Sequence, residues 1–202
     1  MTVRVVLASR NAHKIEEMER ILDDAGLHVE VVGIDAYSDV PEVAETGLSF
    51  VENAIIKARH ASAHTGLPAL ADDSGLEVDA LAGQPGVHSA RYAGEPSDDS
   101  ANNRKLLEAL ADVPAARRTA RFHCVLALLR HPADPVPLIC SGRWEGRILQ
   151  APAGERGFGY DPLFLVETEG CSSAQLPREL KNRLSHRAQA LGQLLLALGK
   201  PC

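Results

Sequence analysis

From Val3 to Ser9 the chain reads VRVVLAS, a short β-branched run in the pattern of a strand buried on both faces. The period then changes. Ile15, Met18, Leu22 and Ala25 recur at helical spacing, and Gly26 follows as a closing residue. Ser49-Phe50-Val51-Glu52 has the form of a capping box, so a second helix is expected to open there and to end at Gly66. LPALADDSGLEVDAL, residues 67–81, predicts a strand, a turn carrying the two acids, and a short continuation. A third helix is expected in SDDSANNRKLLEALADVP, capped near Ser97 and stopped before Pro114. RTARFHCVLALLR and PLICSGRWEGRIL read as long strands joined by the proline-rich turn RHPADPVP. LPRELKNRL and SHRAQALGQLLLALG close the chain as helices, the second with Leu191, Leu194, Leu195 and Leu198 as its buried stripe. Strands first alternate with helices and then follow one another, which predicts an α/β fold around a mixed sheet.

Composition narrows the function classes. The 202 residues suit a single domain spanning 1–202, or two tightly fused lobes, with 45% hydrophobic and 24% charged residues. A formal net charge of −6 argues against broad binding to nucleic acid or acidic membranes. Any anion must therefore be drawn by a local basic cluster. Cys124, Cys140, Cys171 and Cys202 lie far apart with no C-x-x-C pair, which offers no zinc knuckle and fits a reducing compartment. With no signal-like or bilayer-length apolar run, the cytoplasm is the expected location.

Four constellations carry candidate chemistry. In SRNAHK, residues 9–14, Asn11 is a good N-cap that puts His13 and Lys14 in the first helical turn. Cations there oppose the helix dipole, a conflict that an anion at the helix tip removes. LSHR repeats the arrangement, with Ser185 as N-cap and His186 and Arg187 after it. For both, solvated basic residues are the competing reading. Asp72 and Asp73 end a buried run and, as strand neighbours, point to opposite faces. They cannot jointly chelate one ion. One is expected to face the site and the other to brace the turn at Ser74-Gly75, with Glu45 as a second oxygen ligand for a hard cation such as magnesium. A solvated turn competes. In GERGFGYDP, glycines flank Phe158 and leave its ring able to stack on a flat base, and Asp161 is expected to be extended before Pro162. A structural loop with a core phenylalanine competes here.

Other features are weaker. His60 and His64 stand one turn apart without a third ligand, His123 reads as a satisfied sheet residue, and Arg117 to Arg121 as a basic strand entry. No G-x-S-x-G elbow is present, which disfavours covalent catalysis.

Taken in order, LASRNAHK, ETGLSFVENAIIKARHA, LADDSGLEVDAL, GVHSARYAG, ARFHCVLAL, GFGYDP and LSHRAQAL resemble the inosine triphosphate pyrophosphatase family nearly end to end, Ser9 standing where a threonine is also common. The resemblance implies an elongated two-lobed α/β protomer with the active-site cleft between the lobes, assembled as a homodimer. It implies hydrolysis of non-standard purine nucleoside triphosphates (dITP, ITP, dXTP, XTP) to the monophosphate and pyrophosphate, which would clean the nucleotide pool of deaminated purines. Carried over residue by residue, Ser9, Arg10, Asn11, Ala12, His13 and Lys14 would hold the triphosphate. Glu45 and Asp73 would serve Mg2+, with Asp73 also the general base, and Ser74 would touch substrate near the metal. Phe158, Gly159, Tyr160, Asp161, Lys181, His186 and Arg187 would line the nucleoside side, Arg187 offering donors to a purine 6-oxo group. Lys57 is a further phosphate candidate. Two rivals stand beside this reading: a nucleotide hydrolase of other base specificity or product, and a non-catalytic nucleotide-binding protein.

Overall fold

A computed structural model describes residues 3–24, 29–37 and 39–199. Seven strands form one sheet: β1 (Val3–Leu7), β2 (Val29–Gly33), β3 (Ala69–Val78), β4 (Thr119–Leu129), β5 (Leu138–Ile148), β6 (Phe164–Val166) and β7 (Cys171–Ser172), in the order β2-β1-β3-β4-β5-β6-β7. β1 runs parallel to β2, with Val5 opposite Val31, and parallel to β3, whereas β5–β6 and β6–β7 are antiparallel. The sheet is mixed, and the fold is α/β as the alternation predicts. Helices α1 (Ala12–Asp24), α2 (Phe50–Thr65), α3 (Asp99–Ala109), α4 (Arg178–Leu184) and α5 (His186–Ala197) flank it. None among the described residues is long and apolar enough to cross a membrane.

The chain divides into two compact units, residues 1–73, 124–142 and 186–202 in the first and 74–123 and 143–185 in the second. β3, β4 and β5 each give one stretch to either unit. In the first unit Leu7, Met18, Leu70, Leu126 and Leu191 are buried together, and a second cluster sets Ala54, Ala58 and Ala61 of α2 against Val6 and Ala71. The second unit packs Leu76, Leu106, Phe122, Trp144 and Leu163 around Phe164, whose ring lies 4.5 Å from Phe122 and 5.4 Å from Trp144. Each large side chain so buried contributes about 1.5–3 kcal/mol.

Local chemistry explains the boundaries. The Ser49 side chain accepts the Glu52 N–H, and Gly66 caps the far end of α2, as expected. α3 is capped at Asp98, next to Ser97, its carboxylate taking the Ala101 N–H at 3.1 Å. Ile15 packs into the core beside Met18, while Ala25, Gly26 and the Leu22 side chain lie outside the described residues. Leu191, Leu194 and Leu195 are buried, but α5 ends at Ala197, and Leu198 beyond it is 46% exposed. β2, β6 and β7 were not legible in the sequence. Two further expectations fail. The segment around Asp72 and Asp73 contains no turn, because β3 runs straight through Ser74-Gly75. Asp161 opens a single 3-10 turn (Asp161–Leu163) instead of lying extended.

Candidate active site

In the first unit the chain leaves β1 and enters α1 through Ser9–Lys14. Asn11 caps the helix, its Oδ1 accepting the Lys14 N–H at 3.1 Å, and Ser9 Oγ accepts the Asn11 N–H at 3.3 Å. Arg10 turns to the Val40 carbonyl and to Asp35, 3.7 Å away. Ala12 is the first helical residue, and the His13 side chain lies outside the described set. The Lys14 ammonium reaches Asp72 Oδ2 at 2.9 Å. α5 packs against α1, and its Arg187, 1% exposed, places Nη2 3.5 Å from the same Asp72 oxygen while Nη1 donates to Glu17 of α1. His186 and Ser185 are buried beside it.

The cations at both helix starts are therefore met by a carboxylate of the protein's own, not by solvent. This corrects one expectation. Asp72 braces no turn; it gathers Lys14 and Arg187. Arg187 pairs through Nη1 with Glu17 and through Nη2 with Asp72. Burial pushes the Asp72 carboxyl up, but Lys14, Arg187 and Lys57 outweigh it and hold the group far below the ordinary carboxylate range. α5 can come this close because Gly142 of β5 faces its first residue. A Cβ there would stand 2.0 Å from the His186 carbonyl oxygen.

On the other face of β3, Asp73 has different company. Lys57 of α2 lies 2.8 Å from Asp73 Oδ1 and 2.8 Å from Glu45 Oε1, so one ammonium is shared by two carboxylates. Fully buried Asn53, one turn before Lys57, donates to Asp73 Oδ2 at 3.3 Å and accepts the Gly47 N–H at 2.8 Å, which ties the Glu45 loop to the strand. Burial, and after it the charge of Glu45, push the Asp73 carboxyl up, and Lys57 and Lys14 do not fully offset them. Burial alone would lower Lys57, but Asp72, Asp73 and Glu45 together raise it and keep it charged. Ser74 follows in β3, half-buried.

The second unit holds the other predicted set. Asp161 is 4% exposed and organises its loop: one oxygen accepts the Phe158 N–H at 2.9 Å and the Lys181 ammonium at 2.6 Å, and the other accepts the Ser173 hydroxyl at 2.8 Å. Gly157, at φ +77°, makes room for that carboxylate, since a Cβ would meet Asp161 Oδ2 at 2.1 Å. The Lys181 ammonium also stands 5.3 Å from the centre of the half-buried Phe158 ring. The Tyr160 ring sits in the core, its hydroxyl donating to the Ser89 carbonyl at 2.8 Å.

The weaker sequence candidates are structural. His60 bonds to the Pro41 carbonyl and His64 to that of His60. His123 pairs with Glu77 at 2.6 Å. Arg118 is buried, donating to the carbonyls of Leu110, Val113 and Leu149, and Arg121 pairs with Glu77, Asp79 and Glu145. Among the described residues no three of His, Cys, Asp and Glu are grouped to hold a metal. Sequence reasoning missed Glu17, Asn53 and Ser173. Asn53 sat one helical turn before Lys57, and that spacing was the available signal.

The profile of the Ham1 family matches residues 5–197. The chain belongs to the Ham1 family. It is 60% identical over 190 residues to a protein of Xanthomonas campestris pv. campestris (strain 8004) named dITP/XTP pyrophosphatase, covering 94% of each chain. It is 56% identical over 195 residues to a Vibrio cholerae protein of the same name, covering 96% of each. Among solved structures, the Ham1 protein from Coxiella burnetii superposes with a TM-score of 0.90 at 50% identity, covering 98% of this chain and 99% of that one. The Staphylococcus aureus Ham1 protein gives 0.85 at 40%, covering 97% and 98%. The Ham1 match bears out the resemblance carried by the sequence motifs.

Proposed function

We propose that this protein hydrolyses non-standard purine nucleoside triphosphates (dITP, ITP, dXTP and XTP) to the nucleoside monophosphate and pyrophosphate. The names of its relatives support this reading, and one observation carries it: Glu45 and Asp73 converge on a single ammonium, each at 2.8 Å. Two carboxylates facing one cation are an oxygen donor set that fits a divalent ion whose remaining positions are filled by water and phosphate. Glu45 and Asp73 would hold that ion, and we take it to be Mg2+. When bound, it supplies charge neutralisation for the polyphosphate.

The chain's own residues do the rest. Asp73 accepts the proton of the attacking water. Its raised proton affinity suits that task as long as it is ionised at working pH. Asn53 and Lys57 hold its two oxygens in place. Lys14, anchored by Asp72, keeps further ammonium protons for phosphate oxygens, next to the N-terminal amides of α1. Arg187 acts through Asp72 on the phosphate side, with His186 beside it. In the second unit, Phe158 and Lys181, braced by Asp161, take the nucleoside.

The test is product and substrate identity. Incubation with dITP, dATP, dGTP and dTTP plus magnesium, read by phosphorus NMR, should give pyrophosphate from dITP foremost and nothing after EDTA. Orthophosphate alone, or dTTP as best substrate, overturns the reading.

A further inference from the structure

Asp99 and Asn103 lie one turn apart on α3, so their side chains share a face. Both end on Gly159. Asp99 Oδ2 accepts the Gly159 N–H at 2.7 Å, and Asn103 Nδ2 donates to the Gly159 carbonyl at 2.9 Å. One helix face thus grips one loop residue at both of its peptide groups. The preceding N–H, that of Phe158, ends on Asp161. Two consecutive amides that each point at a carboxylate make this stretch hostile to phosphate, so what the loop offers a ligand is the Phe158 ring.

Packing alone does not explain this grip. Asp99 has a place as a first-turn acid of α3, but the helix requires no amide at position 103. Asn103 Oδ1 is buried without a hydrogen-bond partner among the described residues. An apolar side chain of the same shape would carry no such burden. What keeps an amide there is Gly159.

We propose that Asp99 and Asn103 are positioning residues for base selection. By fixing Gly159 they fix the plane of the Phe158 ring, on which a flat purine stacks, and so set which base the loop accepts. The inference rests on the nucleoside-side reading of this loop.

Calorimetric titration of the full chain with inosine monophosphate and, separately, with inorganic tripolyphosphate isolates the effect. Asn103→Leu and Asp99→Ala should each weaken monophosphate binding about tenfold, the weight of one hydrogen bond, and leave tripolyphosphate binding unchanged. The ratio of dITP to dGTP in kcat/KM should fall with them. Asp99→Asn keeps an acceptor for the Gly159 N–H and should retain both the binding and the ratio. Equal weakening of both ligands, or an unchanged monophosphate affinity and base ratio in folded variants, overturns the clamp while the proposed activity stands. A parent protein that neither binds the monophosphate nor hydrolyses dITP overturns both together.

Discussion

Asp72 and Asp73 are adjacent on β3, yet the two faces of that strand solve the burial of a carboxylate in opposite ways. On one face a single carboxylate is shared by two cations, Lys14 and Arg187, from the first turns of two helices. On the other a single cation, Lys57, is shared by two carboxylates, Asp73 and Glu45. The same residue type is driven far below its ordinary proton affinity in the first case and above it in the second. A surplus of positive partners makes an acid inert and turns it into an anchor. A shortage of them leaves an acid able to take a proton or a further cation. The chemistry thus follows the ratio of partners, not the degree of burial.

Removing each carboxylate in turn tests that contrast most sharply. Asp73→Asn should cut turnover at saturating dITP by about 10²–10⁴-fold, the usual weight of a general base, with little loss of fold stability. Pyrophosphate release by the variant at close to the parent rate would break the comparison on its reactive side. Asp72→Asn should act on the fold first. It leaves buried Arg187 and half-buried Lys14 short of a partner, at a cost of about 3–5 kcal/mol in urea unfolding. A variant with the parent's midpoint would mean that the anchor holds nothing. A third substitution sharpens the anchor's anatomy: Glu17→Gln removes the other carboxylate of Arg187 and should cost about 1–3 kcal/mol in the same measurement, less than Asp72 because Lys14 keeps its partner.

How much of this could be read beforehand depended on range. Capping is local, so Asn11, Ser49 and Gly66 were legible from neighbours a few residues away. The opposite facing of Asp72 and Asp73 followed from strand periodicity alone. The partners of Asp72 did not, because Lys14 stands more than fifty residues before it and Arg187 more than a hundred after it. The sequence showed cations misplaced against helix dipoles and asked for an anion. It could not show that the protein supplies one itself. The straight course of β3 was hidden for a related reason. Asp-Asp-Ser-Gly is turn-like chemistry wherever its side chains are left to hydrogen-bond locally, and here both carboxylates are engaged by other elements. The short strands β6 and β7, of three and two residues, carry too few positions for any period to register.

The smallest expected effect concerns pH, and its sign separates the two faces. Asp72 has a folded proton affinity below its unfolded one. The stability it contributes is therefore present above the ordinary aspartate value of about 4 and is lost as pH falls toward its much lower folded value. Asp73 has the reverse shift. It favours the fold while protonated, fully so below about pH 4, and that contribution disappears as pH rises through its folded value. In EDTA, urea unfolding of Asp73→Asn against the parent should show the variant gaining relative stability from mild acid to neutral pH. The deficit of Asp72→Asn should shrink as pH drops below the ordinary carboxylate range. Parallel slopes for the two variants would mean that the faces of β3 are electrostatically alike, and the division of labour between anchor and base would have to be drawn elsewhere.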